Sequence, residues 1–212
     1  MSPIMLSLFD YSGNSALPWA SANYTCYLID KQHPQGTNPH PTIPNTFTIG
    51  ADLLLPLSLP FPLNSVKFIS AFPPCDHLAI SGARWFKGKG LRALAKSIEL
   101  FAVATDICES SSAPYYIENP VSTISTYWRK PDYIFSPHHY SSLHPRDNYT
   151  KTTCLWVGNN FIMPTKKEIE GLLLSSKLAN LPPSPQRANL RSKTPLGFSL
   201  AVFEANHRNG LP

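Results

Sequence analysis

Short apolar runs recur along the chain, each closed by polar or turn-forming residues. Residues 4–10 (IMLSLFD) are stopped by Tyr11-Ser12-Gly13-Asn14 and read as a buried strand, with a helix following over roughly 15–22. Residues 24–30 (YTCYLID) read as a second strand that ends on an acid. Residues 31–45, with four prolines and two histidines, read as a polar loop, and 46–55 as the span holding a third strand. The stretch 57–63 is proline-rich and irregular. A fourth strand over 66–72 (VKFISAF) is stopped by Pro73-Pro74, a fifth over 115–117 ends at Glu118-Asn119-Pro120, and a sixth over 153–157 (TCLWV) precedes Gly158.

Between these runs the period changes. Leu91, Leu94, Ala95, Ile98, Phe101 and Ala102 fall at helical spacing and predict a helix over 91–108. Residues 166–177 and 195–206 read as further helices, and the Pro-, Ser- and Arg-rich stretch 181–192 as a loop. Strands alternating with helices predict an α/β sheet covered on both faces. No internal repeat is present, and 212 residues suit one domain spanning 1–212.

Composition narrows the class. Hydrophobic content of 42% and charged content of 15% exclude a coiled coil and a highly charged disordered chain. Proline, at 22 of 212 residues, has about twice its ordinary share, which implies many fixed loops. A net charge of +5 permits a polyanionic partner. Cys26, Cys75, Cys108 and Cys154 form no C-x-x-C pair, so neither a zinc ribbon nor a disulfide scaffold is expected. No run of 18 apolar residues and no basic-then-apolar leader occurs, so the expectation is a cytoplasmic chain with reduced thiols and no membrane span.

In open α/β sheets ligands bind beyond the carboxyl ends of the strands. Asp10, Asp30, Cys75 and Glu118 all lie at or just past predicted strand ends. The turn Phe9-Asp10-Tyr11-Ser12-Gly13 is expected to offer backbone N–H groups to a ligand's anionic end. Asp30, about 20 residues later, suits ribose hydroxyls, and Asp52 an adenine amino group. Cys75 follows Pro73-Pro74, which hold it rigidly, and a thiolate there is a candidate nucleophile. Glu118 is a candidate proton donor beside it. Arg84-Trp85-Phe86-Lys87-Gly88-Lys89-Gly90 interleaves cations and aromatics, as does Tyr127-Trp128-Arg129-Lys130; such segments track a phosphate backbone and stack bases. His138, His139, His144 and Cys154 fit no metal-ligand spacing, and no metal is expected.

At these residues the chain resembles the DNA cytosine-5 methyltransferases, end to end. Their first motif is similar to the segment from Phe9 to Gly13. Their ribose-binding acid matches Asp30, the acid of their third motif Asp52, their Pro-Cys motif Pro74-Cys75, and their Glu-Asn-Val motif Glu118-Asn119 with Pro120 in place of valine. Arg191-Ser192-Lys193-Thr194-Pro195-Leu196-Gly197-Phe198 is similar to their final motif, which returns to the cofactor pocket. The closest likeness is to a small phage-borne branch with F-P-P-C-x-x-L-A-x-S-G-A-R-W-F, I-E-N-P and K-x-T-C-L-W signatures. The resemblance implies a Rossmann-like class I fold and S-adenosylmethionine held by Phe9, Asp10, Ser12, Gly13, Asp30, Asp52, Pro74 and Thr194. It also implies a flipped cytosine attacked by Cys75, steadied by Glu118, with Asn119 placing the cysteine loop. Arg84, Trp85, Lys87, Lys151 and Thr153 are the substrate-side candidates.

Two departures change what the resemblance implies. In the family's eighth motif Lys151 stands for the first arginine and Thr153 for the second; lysine lacks the planar fork and threonine the charge. The family's large target-recognition region is reduced to the insert 159–193. Specificity is therefore relaxed, supplied by a protein partner, or directed at something other than duplex DNA. Three readings stay open: a DNA cytosine methyltransferase, an enzyme modifying free pyrimidine nucleotides, and a non-catalytic nucleic-acid-binding protein.

Overall fold

The structure, a computed structural model, describes residues 2–178 and 180–207. Among these, eight strands form one mixed sheet, mostly parallel: β1 Ile4–Leu8, β2 Thr25–Ile29, β3 Gly36–Pro39, β4 Thr46–Gly50, β5 Val66–Ala71, β6 Tyr115–Pro120, β7 Tyr133–Phe135 and β8 Thr153–Gly158. Their order across the sheet is β3-β4-β2-β1-β5-β6-β8-β7. The pairings β4–β2–β1–β5–β6 are parallel, while β3, β8 and β7 join antiparallel. Among the five parallel strands chain order runs third, second, first, fourth, fifth, so it reverses between β1 and β5, the switch point where doubly wound sheets bind ligands.

The helices are α1 Leu17–Ser21, α2 Phe86–Lys89, α3 Leu91–Glu109, α4 Ile124–Tyr127, α5 Arg187–Ser192 and α6 Leu196–Asn206. Strand residues alternate between two buried clusters. Leu6, Leu8, Ile69, Ile117 and Trp156 meet Phe101, Ala104 and Cys108 of α3 on one face. Met5, Leu28, Phe68, Tyr116 and Leu155 meet Trp19 of α1 and Phe198, Ala201 and Val202 of α6 on the other. The two-sided covering read from the sequence is therefore present.

Several expectations need correction. The apolar stripe of α3 is only half used: Phe101 is buried, Leu94 and Ile98 are partly so, but Leu91, Ala95 and Ala102 are exposed. Residues 166–177 are not helical. Their backbone pairs with a neighbouring loop instead, Lys167 N–H donating to His139 O at 2.8 Å and Ser142 N–H to Lys167 O at 2.9 Å. The stretch 181–192 contains α5, and the 31–45 loop contains β3, an edge strand where Pro39 is tolerated. The third strand stops at Gly50, because a Cβ there would strike the carbonyl oxygens of His33 and Pro34. The fifth runs on to Pro120, because β8 pairs with it there, opposing Leu155 to Glu118 and Cys154 to Asn119. Glu118 and Asn119 thus lie within a strand, not beyond it. Among the described residues no helix is long and apolar enough to cross a membrane, and all four cysteines are free.

Candidate functional site

A cleft of about 820 Å³ opens over the carboxyl ends of β1 and β2, within the range of small-molecule sites. The turn after β1, residues from the segment 30–41, Phe72 beyond β5 and residues from the segment 186–194 line it. Of the expected cofactor-side residues, Phe9, Asp10, Ser12, Asp30 and Thr194 line this cleft; Gly13, Asp52 and Pro74 do not. Phe9 takes φ 57°, a left-handed conformation uncommon for a side-chain-bearing residue and frequent at functional turns.

Asp10 is buried and saturated. Its Oδ2 accepts from Ser7 Oγ (2.9 Å) and Ser15 Oγ (2.6 Å). Its Oδ1 accepts from the N–H groups of Ser12 (3.0 Å) and Gly13 (2.8 Å) and from Ser12 Oγ (3.2 Å). The backbone donors expected to greet a ligand's anion are therefore already taken by the chain's own carboxylate. Asp10 sets the shape of the turn and leaves no acceptor free. Gly13, at φ +70°, sits against Ile43 and Leu28, with no room for a Cβ. Asp30 differs: one oxygen accepts the Gln32 N–H at 2.7 Å, and the other takes no hydrogen bond from any described residue. Asp52 instead closes its own turn, accepting the Leu54 N–H at 3.1 Å.

The thiol candidate lies beyond β5. Leu78 and Ala79 N–H groups both donate to Cys75 O, folding the chain back directly after the prolines. Asn119 Nδ2 donates to Pro73 O at 2.9 Å and ties this loop to β6. On the same strand Glu118 is 6% exposed and its Oε1 accepts from Lys151 Nζ at 3.1 Å. Oε2 of Glu118 is buried without a partner among the described residues, an arrangement costly enough to mark a site awaiting a donor. Burial pushes the Cys75 thiol above its ordinary range; Asp76 and Glu118 add to this, while Lys151 opposes it. The thiol is therefore protonated at neutral pH, and its ionisation senses the carboxylate and the ammonium together. Lys151, read from the sequence as a substrate-side candidate, is the carboxylate's partner, a pairing that no spacing in the sequence signals. Thr153 is buried and turns its hydroxyl back to Lys151 O at 3.1 Å.

Arg84, Trp85 and Lys87 stand exposed on the segment after the cysteine, with the Arg84 guanidinium 5.0 Å over the Trp85 ring. Two backbone bonds join this segment to the loop after β6: Ile80 N–H to Val121 O (3.0 Å) and Thr123 N–H to Leu78 O (2.9 Å). That loop leads to the exposed Tyr127 and Trp128, the latter under Arg129 at 4.5 Å. The two basic aromatic segments thus follow a pair of hydrogen-bonded loops. His138 and His139 approach Glu168 rather than His144 or Cys154. His139 Nδ1 already accepts the Ser136 N–H, which leaves the proton of the neutral ring on Nε2 and no nitrogen free to ligate. In the cleft wall formed by residues from 186–194, Ser192, Lys193 and Thr194 belong to the segment read from the sequence as returning to the cofactor pocket, while Gln186, Asn189 and Leu190 were not foreseen.

No family model matches the chain, and no curated protein matches it. Among solved structures 28 chains match. One, from E. coli, is described as a candidate DNA modification methyltransferase encoded within a prophage. The two are 12% identical and superpose with a TM-score of 0.51, covering 86% of this chain and 56% of that one. The chain therefore spans little more than half the length of that protein and shares its α/β fold.

Proposed function

We propose that the chain is an S-adenosylmethionine-dependent methyltransferase acting on carbon 5 of cytosine in DNA through a covalent Cys75 adduct. One observation carries this reading: a buried carboxylate, half-paired with Lys151 and half-unpaired, shares a loop-and-strand junction with the cysteine loop that Asn119 ties down at Pro73. The shared fold with a methyltransferase-bearing structure and the switch-point cleft support it.

The cleft fits the cofactor: its volume suffices, and Asp30 keeps one oxygen free for a ribose diol. Phe9, Ser12 and Thr194 would complete the contacts, and when bound the cofactor supplies the methyl group. The Cys75 sulfur adds to carbon 6 of the base while ring nitrogen 3 gains a proton, so the thiol proton is balanced within the adduct. Glu118, held in place by Lys151, presents its free oxygen to the base edge and steadies that proton. Carbon 5, now an enamine carbon, takes the methyl group; loss of its own proton to water then expels the sulfur, which takes back its proton from ring nitrogen 3, and the ring is restored. Arg84, Trp85 and Lys87 contact the nucleic acid beside the extruded base. The kinship in fold with a prophage-encoded protein fits a phage-encoded chain acting in a bacterial cytoplasm.

One observation favours a second substrate class. Among the described residues the insert 159–193 holds one short helix, α5, and residues of that helix line the cleft rather than project as a groove reader. A free cytosine nucleotide needs no such reader, and a protein partner would provide one. Transfer of labelled methyl groups to duplex DNA, single-stranded DNA and deoxycytidine nucleotides separates these readings. Transfer to at least one is expected, abolished by Cys75→Ala, with 5-fluorocytosine DNA trapping a denaturation-stable complex. An active Cys75→Ala protein refutes the nucleophile.

A further inference from the structure

The saturation of Asp10 raises a question about the cleft's polarity. In the turn after β1 the backbone donors of Ser12 and Gly13 are already occupied by Asp10. The charged side chains lining the cleft are Asp10, Asp30 and Lys193. Asp10 is consumed, which leaves one free carboxylate and one ammonium. The two histidines do not alter this count. His33 Nε2–H donates to Asp10 O at 3.0 Å. His40 is held low by burial and by His33, against the pull of Asp10, and its Nδ1 accepts the N–H groups of Thr42 and Ile43.

Lys193 is placed by its neighbour. Thr194 is buried, and its carbonyl accepts from Asn14 Nδ2 at 2.9 Å. The chain at 193–194 therefore lies alongside the turn of residues 10–14, where an anion-binding backbone was expected. On the same wall Asn189 Nδ2 donates to Gln32 Oε1 at 3.2 Å, joining α5 to the segment that follows Asp30. Lys193, an exposed residue of the wall after α5, and Asp30, at the end of β2, thus line the same cleft.

We propose that Lys193 is the anchor for the anionic end of the cleft's ligand, and that in S-adenosylmethionine it pairs with the amino-acid carboxylate while Asp30 holds the ribose. The inference rests on the cofactor assignment above and adds the residue that orients the cofactor end to end. It is a binding role: Lys193 touches a part of the cofactor remote from the transferred methyl group.

The test is equilibrium binding by calorimetry, using S-adenosylmethionine and its decarboxylated analogue, which keeps the adenosine and the sulfonium but lacks the carboxylate. Wild-type protein is expected to prefer the intact cofactor by up to about fivefold, the upper range for an accessible ion pair. Lys193→Gln is expected to remove that preference, weakening the intact cofactor and leaving the analogue unchanged; Lys193→Arg should restore it. Asp30→Asn should weaken both ligands alike. Equal weakening of both ligands by Lys193→Gln, or no weakening of either, overturns the role of Lys193 while the cofactor assignment survives. Failure of the wild type to bind either ligand overturns the cofactor assignment and this inference with it.

Discussion

Asp10 and Glu118 are both buried carboxylates, yet their surroundings assign them opposite tasks. Asp10 has five donors and no spare acceptor, so its role is to hold a turn. Replacing it with alanine removes the acceptor of three hydroxyls and two backbone donors, and should cost about 2–4 kcal/mol in urea denaturation. Glu118 has one donor and one vacant oxygen. Its charge, with that of Lys151, biases the Cys75 thiol, and the signs are fixed. Glu118 raises the thiol pKa, so Glu118→Gln should move the midpoint of the pH-dependent iodoacetamide reaction to lower pH. Lys151 lowers it, so Lys151→Met should move that midpoint higher. Shifts in the same direction for both variants would show that the thiol does not sense the pair.

Among the elements, α3 and α6 show how far packing overrides pattern. Within α3, Phe101 lies in the core and Leu91 in solvent, although both satisfied the same helical period. Phe101→Ala should cost about 3–5 kcal/mol, and Leu91→Ala less than about 0.5 kcal/mol. In α6, Gly197 sits in the first turn and its N–H donates to Asp147 Oδ2 at 2.8 Å. Helix propensity alone favours alanine there by about 1 kcal/mol. A Cβ at that site would lie 2.5 Å from Tyr140 O, however, a backbone atom with little freedom to retreat. Gly197→Ala should therefore destabilise by about 1–3 kcal/mol; a rise in melting temperature would contradict the packing.

For the whole molecule, charge and titration are unevenly placed. The segment 80–96 carries Arg84, Lys87, Lys89, Arg92 and Lys96 with no acid, so it alone matches the net charge of +5. If DNA lies across it, Arg84→Ala should reduce the salt dependence of DNA binding by about one counterion. The core also holds groups that resist ionisation. Burial pushes Cys26 from 9.0 up to about 12, and Tyr140 from 10.0 to about 12. Above pH 9 the unfolded chain releases the Cys26 proton while the folded chain keeps it. Unfolding then releases protons, so stability falls as pH rises towards 12. Cys26→Ala should flatten that decline by up to about 1.4 kcal/mol per pH unit over this window, read from urea midpoints at successive pH values.

The alternation of apolar runs and helical periods was sufficient to place β1, β2, β5, β8, α3 and α6, because each is a local run whose buried side chains must meet a partner surface. The places of Asp30 and Cys75 beyond β2 and β5 were legible for the same reason, since strand ends are local features, whereas Glu118 lies inside β6. The pairing of Lys151 with Glu118 was not legible, because it joins groups held together only by the packing of distant segments. The same holds for residues 166–177, whose composition permits a helix but whose backbone finds its hydrogen bonds in a loop folded alongside. Periodicity decides what a segment must bury; which donors and charges are left free to act is decided only once the sheet has brought those segments into contact.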